Sequence, residues 1–356
     1  MFGHLIAGFA TAVAFAFAFA PTFAAGAGPK PLVVILADAR GTEAPDLLTP
    51  YAILAESGAV DVKVVSATAE PVRLKPGWAW AAPQMTLTQL ARERPRGPDV
   101  VIVPAFSVTD DPARSAWLHE QLRSGARIMS ICNGAKVLAA AGLLDGRQAT
   151  VHWFSRGRLA RKHPQVRWRE DLRWVEDGPI VTTAGISAAE PATLNLLREL
   201  AGEDVMRRTA QRLGLAPPEQ SHDGGDFRLT AGGAGLVVAN LAAFWRREDV
   251  AVPLSPGFDE LAFGTAMDGW SRTYRSTAWA AGPMRAASRH GLVVYRSREL
   301  PKRFDRTAAL PAGNPTPATF EQIRLAYGEP TARFVALQFE HPYGALGGGR
   351  AASAAD

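Results

Sequence analysis

The stretch Ala126–His152, ARIMSICNGAKVLAAAGLLDGRQATVH, carries the pattern that decides the fold. A short apolar run, Arg127–Ile131, leads straight into the only cysteine of the chain, Cys132, and an Ala/Leu-rich segment then runs from Gly134 to Leu144. A strand, one nucleophile-type residue and a helix in immediate succession describe a nucleophile elbow. Such a turn is tight, which Ser130 and Gly134 accommodate by being small. A thiol at that junction faces the free N–H groups and the positive end of a helix, which favour the thiolate. The backbone N–H groups of Asn133 and Gly134 are then the donors for a developing oxyanion. A lone cysteine is also often a plain buried side chain; its position at the junction favours the functional reading.

Upstream, Leu32–Ala37 (LVVILA) is apolar without alternation, as expected of a parallel strand covered on both faces. Asp61–Val65 and Asp99–Val103 read the same way. Between the first two lies a helical segment with Thr42 as candidate N-cap, Pro45 in the first turn and Gly58 as the stop. Pro50 is expected to kink or restart it. Strands and helices alternating in this way predict a doubly wound, mostly parallel, flavodoxin-like α/β sheet, with ligands at the carboxyl ends of the strands. Glu43 and Asp46 in the first loop are either first-turn acids that suit the helix dipole or carboxyl groups working beside the thiol. His152, closing the run Ala149–His152, is either a hydrogen-bonded strand-end histidine or a proton relay.

The run S-I-C-N-G-A-K-V-L-A-A-A-G-L-L-D-G-R-Q-A-T-V-H-W resembles the ThiJ/PfpI family of class I glutamine-amidotransferase-like proteins, most of all the amidase-like domains of AraC-type regulators. The resemblance spans about Pro31 to Leu213. It implies that Cys132 is the nucleophile, that Asp46 is the acid sharing its proton, that His152 supports them, and that Glu43 is a secondary candidate. It also includes Thr182–Ala188 as a family turn. Two departures stand out. Asn133 follows the cysteine where protease-like members carry histidine, so peptidase activity is not expected. Pro104-Ala105-Phe106-Ser107 replaces a Gly-Gly loop, so the oxyanion donor at Ala105 is altered.

The 356 residues suffice for two domains, and 47% apolar with 21% charged residues is a globular composition. The net charge of +5 is scattered arginine, which gives no footprint for nucleic acid. One cysteine excludes an internal disulfide and a cysteine-based zinc site. Leu5–Ala20 is an apolar core followed by Pro21 and small residues, so residues 1–27 read as a signal peptide and the protein as exported, periplasmic in a bacterium; an uncleaved anchor is the alternative. No stable membrane insertion is expected after cleavage.

Residues 30–213 form the first domain of this reading and 214–247 a Pro/Gly-rich linker. Residues 248–343 read as a shortened, degenerate α/β repeat and 344–356 as a disordered tail. Pro191-Ala192-Thr193 and Arg198, Gly202, Glu203 recur at a constant offset of 126 residues as Pro317-Ala318-Thr319 and Arg324, Gly328, Glu329. Gly257–Glu260 resembles the first acidic loop, and Asp305–Pro311 resembles Asp99–Pro104. The block holding Cys132 and His152 is missing, so this half is expected to keep the scaffold and drop the chemistry. No helix-turn-helix follows. The expectation is a cysteine-dependent hydrolase or hydratase of a small molecule without metal or cofactor; the alternative is a non-enzymatic binding or thiol redox-sensing module. The second copy is expected to replace a partner in a monomeric pseudo-dimer, with a homodimer as the alternative.

Overall fold

The computed structural model describes residues 29–242 and 244–343; the expected signal peptide and the C-terminal tail lie outside them. Strand β1 (Leu32–Ala37) feeds helix α1 (Ala44–Ser57), and β2 (Asp61–Ser66), the hairpin β3 (Val72–Lys75) and β4 (Ala79–Ala81), then β5 (Val100–Val103) follow. Helix α2 (Pro112–Arg123), β6 (Arg127–Ser130), α3 (Ala135–Ala140), α4 (Trp153–Lys162), the hairpin β7 (Trp174–Asp177) and β8 (Ile180–Thr183), and helices α5 (Ala189–Ala201) and α6 (Glu203–Leu213) complete this part. The main sheet has the order β7-β8-β6-β5-β1-β2, with Met85–Thr86 at its edge. All of its pairings are parallel except the β7–β8 hairpin. The chain goes from β1 to one side and returns on the other at β5, which opens a crevice at the carboxyl ends of β1, β5 and β6.

Helix α1 runs through Pro50 without a break, against expectation. Proline there removes only the bond to the Asp46 carbonyl, within a turn of the helix start, and the surrounding core holds the rest. Glu43 rather than Thr42 occupies the cap position, and Gly58 stops the helix in the left-handed region at φ 62°. The helix after Cys132 ends at Ala140, short of Leu144.

Residues 214–247 are not all linker, since they include helix α7 (Ala231–Ala242). Beyond them come β9 (Glu248–Pro253), α8 (Glu260–Ser271), β10 (Ser276–Ala281), the hairpin β11 (Arg285–Ala287) and β12 (Val293–Arg296), β13 (Arg306–Thr307), α9 (Pro315–Tyr327) and α10 (Glu329–Phe339). Their parallel sheet has the order β10-β9-β13, the order of β2-β1-β5. The local hydrogen bonds match as well. Leu32 N–H donates to Asp99 Oδ2 at 2.7 Å, and Asp249 N–H donates to Asp305 Oδ2 at 2.9 Å. Gly202 and Gly328 share one backbone conformation, φ 88° and ψ 163° against φ 85° and ψ 163°.

Pro31 onward is a single compact unit rather than two separate bodies. Helix α8 lies on α1 so closely that a Cβ on Gly264 would stand 3.2 Å from Leu48. Strand β12 pairs antiparallel with β4, joining the two hairpins into one sheet. One hydrophobic core, including Leu47, Ile53, Phe263, Met267 and Phe320, therefore runs through both halves. Among the described residues no helix is long and apolar enough to cross a membrane.

Candidate functional site

Cys132 sits just beyond β6 at φ 53°, a left-handed conformation that costs a non-glycine residue about 1–3 kcal/mol and is kept only where the surroundings impose it. Two contacts impose it here. The Cys132 N–H donates to Thr183 Oγ1 at 3.0 Å, tying the turn to the end of β8. Gly134 lies against β5 so tightly that any Cβ would run into the Val103 carbonyl oxygen. The thiol is buried, at 2% exposure, in the wall of a cavity of about 390 Å³. Glu43, Ala105, Asn133 and His152 share that wall. Asp46 does not line the cavity, yet its charge acts on the thiol from within the packing.

The electrostatics run opposite to the expectation of a partly ionised thiol. Burial pushes the Cys132 thiol well above its ordinary 9.0, and the charges of Asp46 and Glu43 push it further; Arg272 and the Asn133 N–H oppose them. Asp46 is fully buried, and burial followed by Glu43 raises its carboxyl well above the ordinary 3.8. Burial thus favours the neutral form of both the thiol and the carboxyl. The helix N-terminus is outweighed because a one-turn dipole cannot offset desolvation together with two nearby acidic groups. Alkylation of Cys132 by iodoacetamide is therefore expected to be slow at neutral pH and to rise about tenfold per pH unit through the alkaline range. A rate plateau near neutrality, read by mass spectrometry, would contradict the neutral thiol.

The expected oxyanion donors are largely taken. Ala105 N–H donates to Asp46 Oδ2 at 3.0 Å, and Gly134 N–H donates to the Ile131 carbonyl at 2.7 Å. Only the Asn133 N–H is left beside the sulfur. Asp46 Oδ1 is buried without a hydrogen-bond partner among the described residues, so it makes no hydrogen bond to Cys132 here.

His152 is not a base for the thiol. Its Nε2 lies 2.8 Å from the Gln338 carbonyl and its Nδ1 3.2 Å from the Phe154 N–H. A carbonyl only accepts and an N–H only donates, which fixes the neutral Nε2–H tautomer with both nitrogens occupied. Burial lowers its pKa from 6.5, which agrees. His152 is the cap of α4 and a strut to α10.

The second half does not drop out of the site. Arg272, Tyr274, Phe334 and Gln338 complete the cavity wall. Arg272 leaves the end of α8, donates through Nε to Asp268 Oδ2 at 2.6 Å and forms an ion pair with Glu43. Burial first, then Glu43, raise the Asp268 carboxyl against the opposing Arg272, to about 7 overall. Three carboxyl groups, one guanidinium and one thiol thus meet where α1 and α8 cross. Asp268 and its C-cap neighbour Arg272 stand at i, i+4 at the end of a helix whose one other charged residue is Glu260 in the first turn, which was the sequence signal for them.

Against known proteins, residues 31–199 match the DJ-1/PfpI family. The isonitrile hydratase of Pseudomonas putida is 31% identical over 176 residues, covering 48% of this chain and 73% of that protein. The HTH-type transcriptional regulator CdhR of Pseudomonas aeruginosa is 35% identical over 113 residues, 31% of this chain. Only 33% of the regulator is matched, so this chain spans about a third of that relative. The crystal structure of Drosophila melanogaster DJ-1beta aligns at 24% identity with a TM-score of 0.46, covering 53% of this chain and 100% of that one.

Proposed function

Because this chain belongs to the DJ-1/PfpI family, we propose that it is a cysteine-dependent hydratase acting on a small, uncharged carbon electrophile of the isonitrile type. The observation that carries this reading is the pairing of a thiol and a carboxyl, both held towards their neutral forms, with an oxyanion site left with a single donor, the Asn133 N–H. Acyl hydrolysis builds a tetrahedral oxyanion that needs fixed donors, and losing one such donor typically costs about 10²–10³ in rate. Addition to an isonitrile carbon needs instead a proton for that carbon and a nucleophile, which Asp46 and Cys132 hold together.

In the first step a small shift of the buried Asp46 side chain brings its carboxyl to the cavity wall; Sγ bonds to the terminal carbon, Asp46 gives its proton to that carbon and the thiol proton passes to Asp46. The result is a thioimidate, R–N=CH–S–Cys132. Water then adds to its carbon, the C–S bond breaks, and N-substituted formamide leaves as the sulfur regains a proton. Asp46 returns to its starting form, so it relays a proton without net change. Glu43 and Arg272 wall the cavity and set its charge. The raised thiol pKa disfavours the redox-sensing alternative, because oxidation follows thiolate character.

A screen of alkyl and aryl isonitriles, with formamide product read by mass spectrometry, tests the proposal. Absence of turnover together with turnover of simple amides would reject it. The N-terminal apolar stretch supports export. The second half, with its matching strand order, its joined hairpins and Arg272, takes the place of a partner subunit. The protein is accordingly expected to be monomeric by size-exclusion with light scattering, and a stable dimer would count against that arrangement.

A further inference from the structure

Helix α7 and the turn after it are out of keeping with the rest of the surface. Of the large apolar side chains that stand in solvent among the described residues, most lie in or beside this helix: Leu229 (44% exposed), Val238 (66%), Leu241 (45%), Phe244 (70%) and Trp245 (69%). Phe154, at 70%, adds to them from the rim of the thiol cavity, which Leu229 and Val237 also line. No residue of α7 is buried. The helix is fastened to the body by Asn240, whose Nδ2 donates to the Thr273 carbonyl at 3.0 Å, and by its contact with α10.

Its sequence, AGGAGLVVANLA, contains three glycines, which are poor helix formers, and an isolated helix of this length is marginal in water. A soluble surface therefore gains little from it, whereas an apolar medium on its open face would stabilise it.

The charges name the medium. Three arginines, Arg228, Arg246 and Arg247, flank the apolar stretch; of the acids next to them, Glu248 is already paired with Arg306 and Asp249 accepts from Trp279, while Asp226 stands near Arg228 in the chain. The three arginines are exposed and bracket the apolar stretch at both ends. Phe244 and Trp245 stack edge to face at 5.3 Å beside two of them, the aromatic-plus-basic arrangement suited to the boundary between headgroups and acyl chains. Twelve residues of helix span about 18 Å, well short of the ~30 Å hydrocarbon core, so this element can lie on a bilayer but not cross it. We propose that α7 with Phe244 and Trp245 docks the protein on an anionic phospholipid surface, with the mouth of the thiol cavity beside the lipid. This does not depend on the reaction assigned to Cys132.

The test is a local reporter on the full chain, so that lipid contact by the N-terminal apolar stretch cannot mimic the result. Val238→Cys in a Cys132→Ser background is labelled with an environment-sensitive nitrobenzoxadiazole. Mixed with vesicles of phosphatidylcholine and phosphatidylglycerol in equal parts, the label is expected to shift its emission to the blue and to become shielded from an aqueous quencher. Vesicles of phosphatidylcholine alone should give neither change, and a label at Ser124→Cys, at the end of α2, should stay open to quencher. Arg246→Glu with Arg247→Glu should weaken vesicle binding reported at 238 on the order of tenfold or more. An unchanged label on anionic vesicles overturns the proposal. So does a blue shift that appears without lipid and grows with protein concentration, which would mean that the patch binds a second copy.

Discussion

Cys132→Ser is expected to lower kcat/KM for isonitrile hydration by at least about a thousandfold, because a serine hydroxyl is far less acidic and a far weaker nucleophile than a thiol. Asp46→Asn is expected to cost about 10²–10⁴-fold, the span typical of a lost proton relay. The second substitution also examines the charge state of Asp46. Its carboxyl is neutral at rest because it is wholly buried, so the amide is close to isosteric and can still accept the Ala105 N–H at Oδ1. Thermal stability should therefore hold while activity falls. A large loss of stability with Asp46→Asn would show that a charged carboxylate had been holding the loop. His152→Gln should behave in the opposite way, lowering stability more than rate, since both ring nitrogens bond to backbone. Turnover in Cys132→Ser equal to that of the unaltered protein would end the nucleophile assignment.

The central strands of the main sheet were legible from sequence because Leu32–Ala37 and Val100–Val103 are short, uninterrupted apolar runs, whereas the edge strand Trp174–Asp177, with two acids, gave no such signal. Leu32–Ala37 is observed with the expected bounds and Asp61–Val65 gains one residue. Position alone also placed Cys132 at the carboxyl end of a strand. The state of the site was not legible, because it depends on which backbone N–H groups are already engaged. Nothing in Pro104-Ala105-Phe106 says that Ala105 donates to Asp46, and nothing in Cys132-Asn133-Gly134 says that Gly134 turns back to Ile131. For His152 the choice between strand-end histidine and relay is open in the sequence for the same reason: its contacts are set by Gln338, 186 residues away. Helix α7 escaped because its glycines look like linker, whereas its apolar residues have helical continuity. Arg272 was missed by a different route. The second half lacks copies of Cys132 and His152, which on sequence makes it a scaffold, yet a wall needs no nucleophile to decide the charge of a site.

Arg272→Met should therefore be the most disruptive substitution in the second half. The side chain holds Glu43 and Asp268 together across the α1–α8 crossing and is the cation that opposes the rise of the Cys132 and Asp46 pKa values. Removing one partner of a buried ion pair leaves an uncompensated charge and costs about 3–5 kcal/mol. The loss should depend on pH with a definite sign. Asp268 has a folded pKa of about 7 against 3.8 for the free group, raised by burial and by Glu43. A group raised on folding stabilises in full below its unfolded value, and that contribution fades as pH climbs through the folded one. Without Arg272 the Asp268 pKa rises further, so the fading extends to higher pH. The gap in unfolding free energy between Arg272→Met and the unaltered protein should thus be smaller near pH 4 and widen towards pH 8. Arg272→Lys should recover part of it, because an ammonium keeps the charge but lacks the planar fork that reaches two carboxyls at once. Combined with Glu43→Gln, the loss should be less than additive, since the two residues share one interaction. Denaturant titrations at several pH values measure all of this, and a gap that is flat or shrinks with pH would mean that Arg272 acts by packing and not through the carboxyls it bridges.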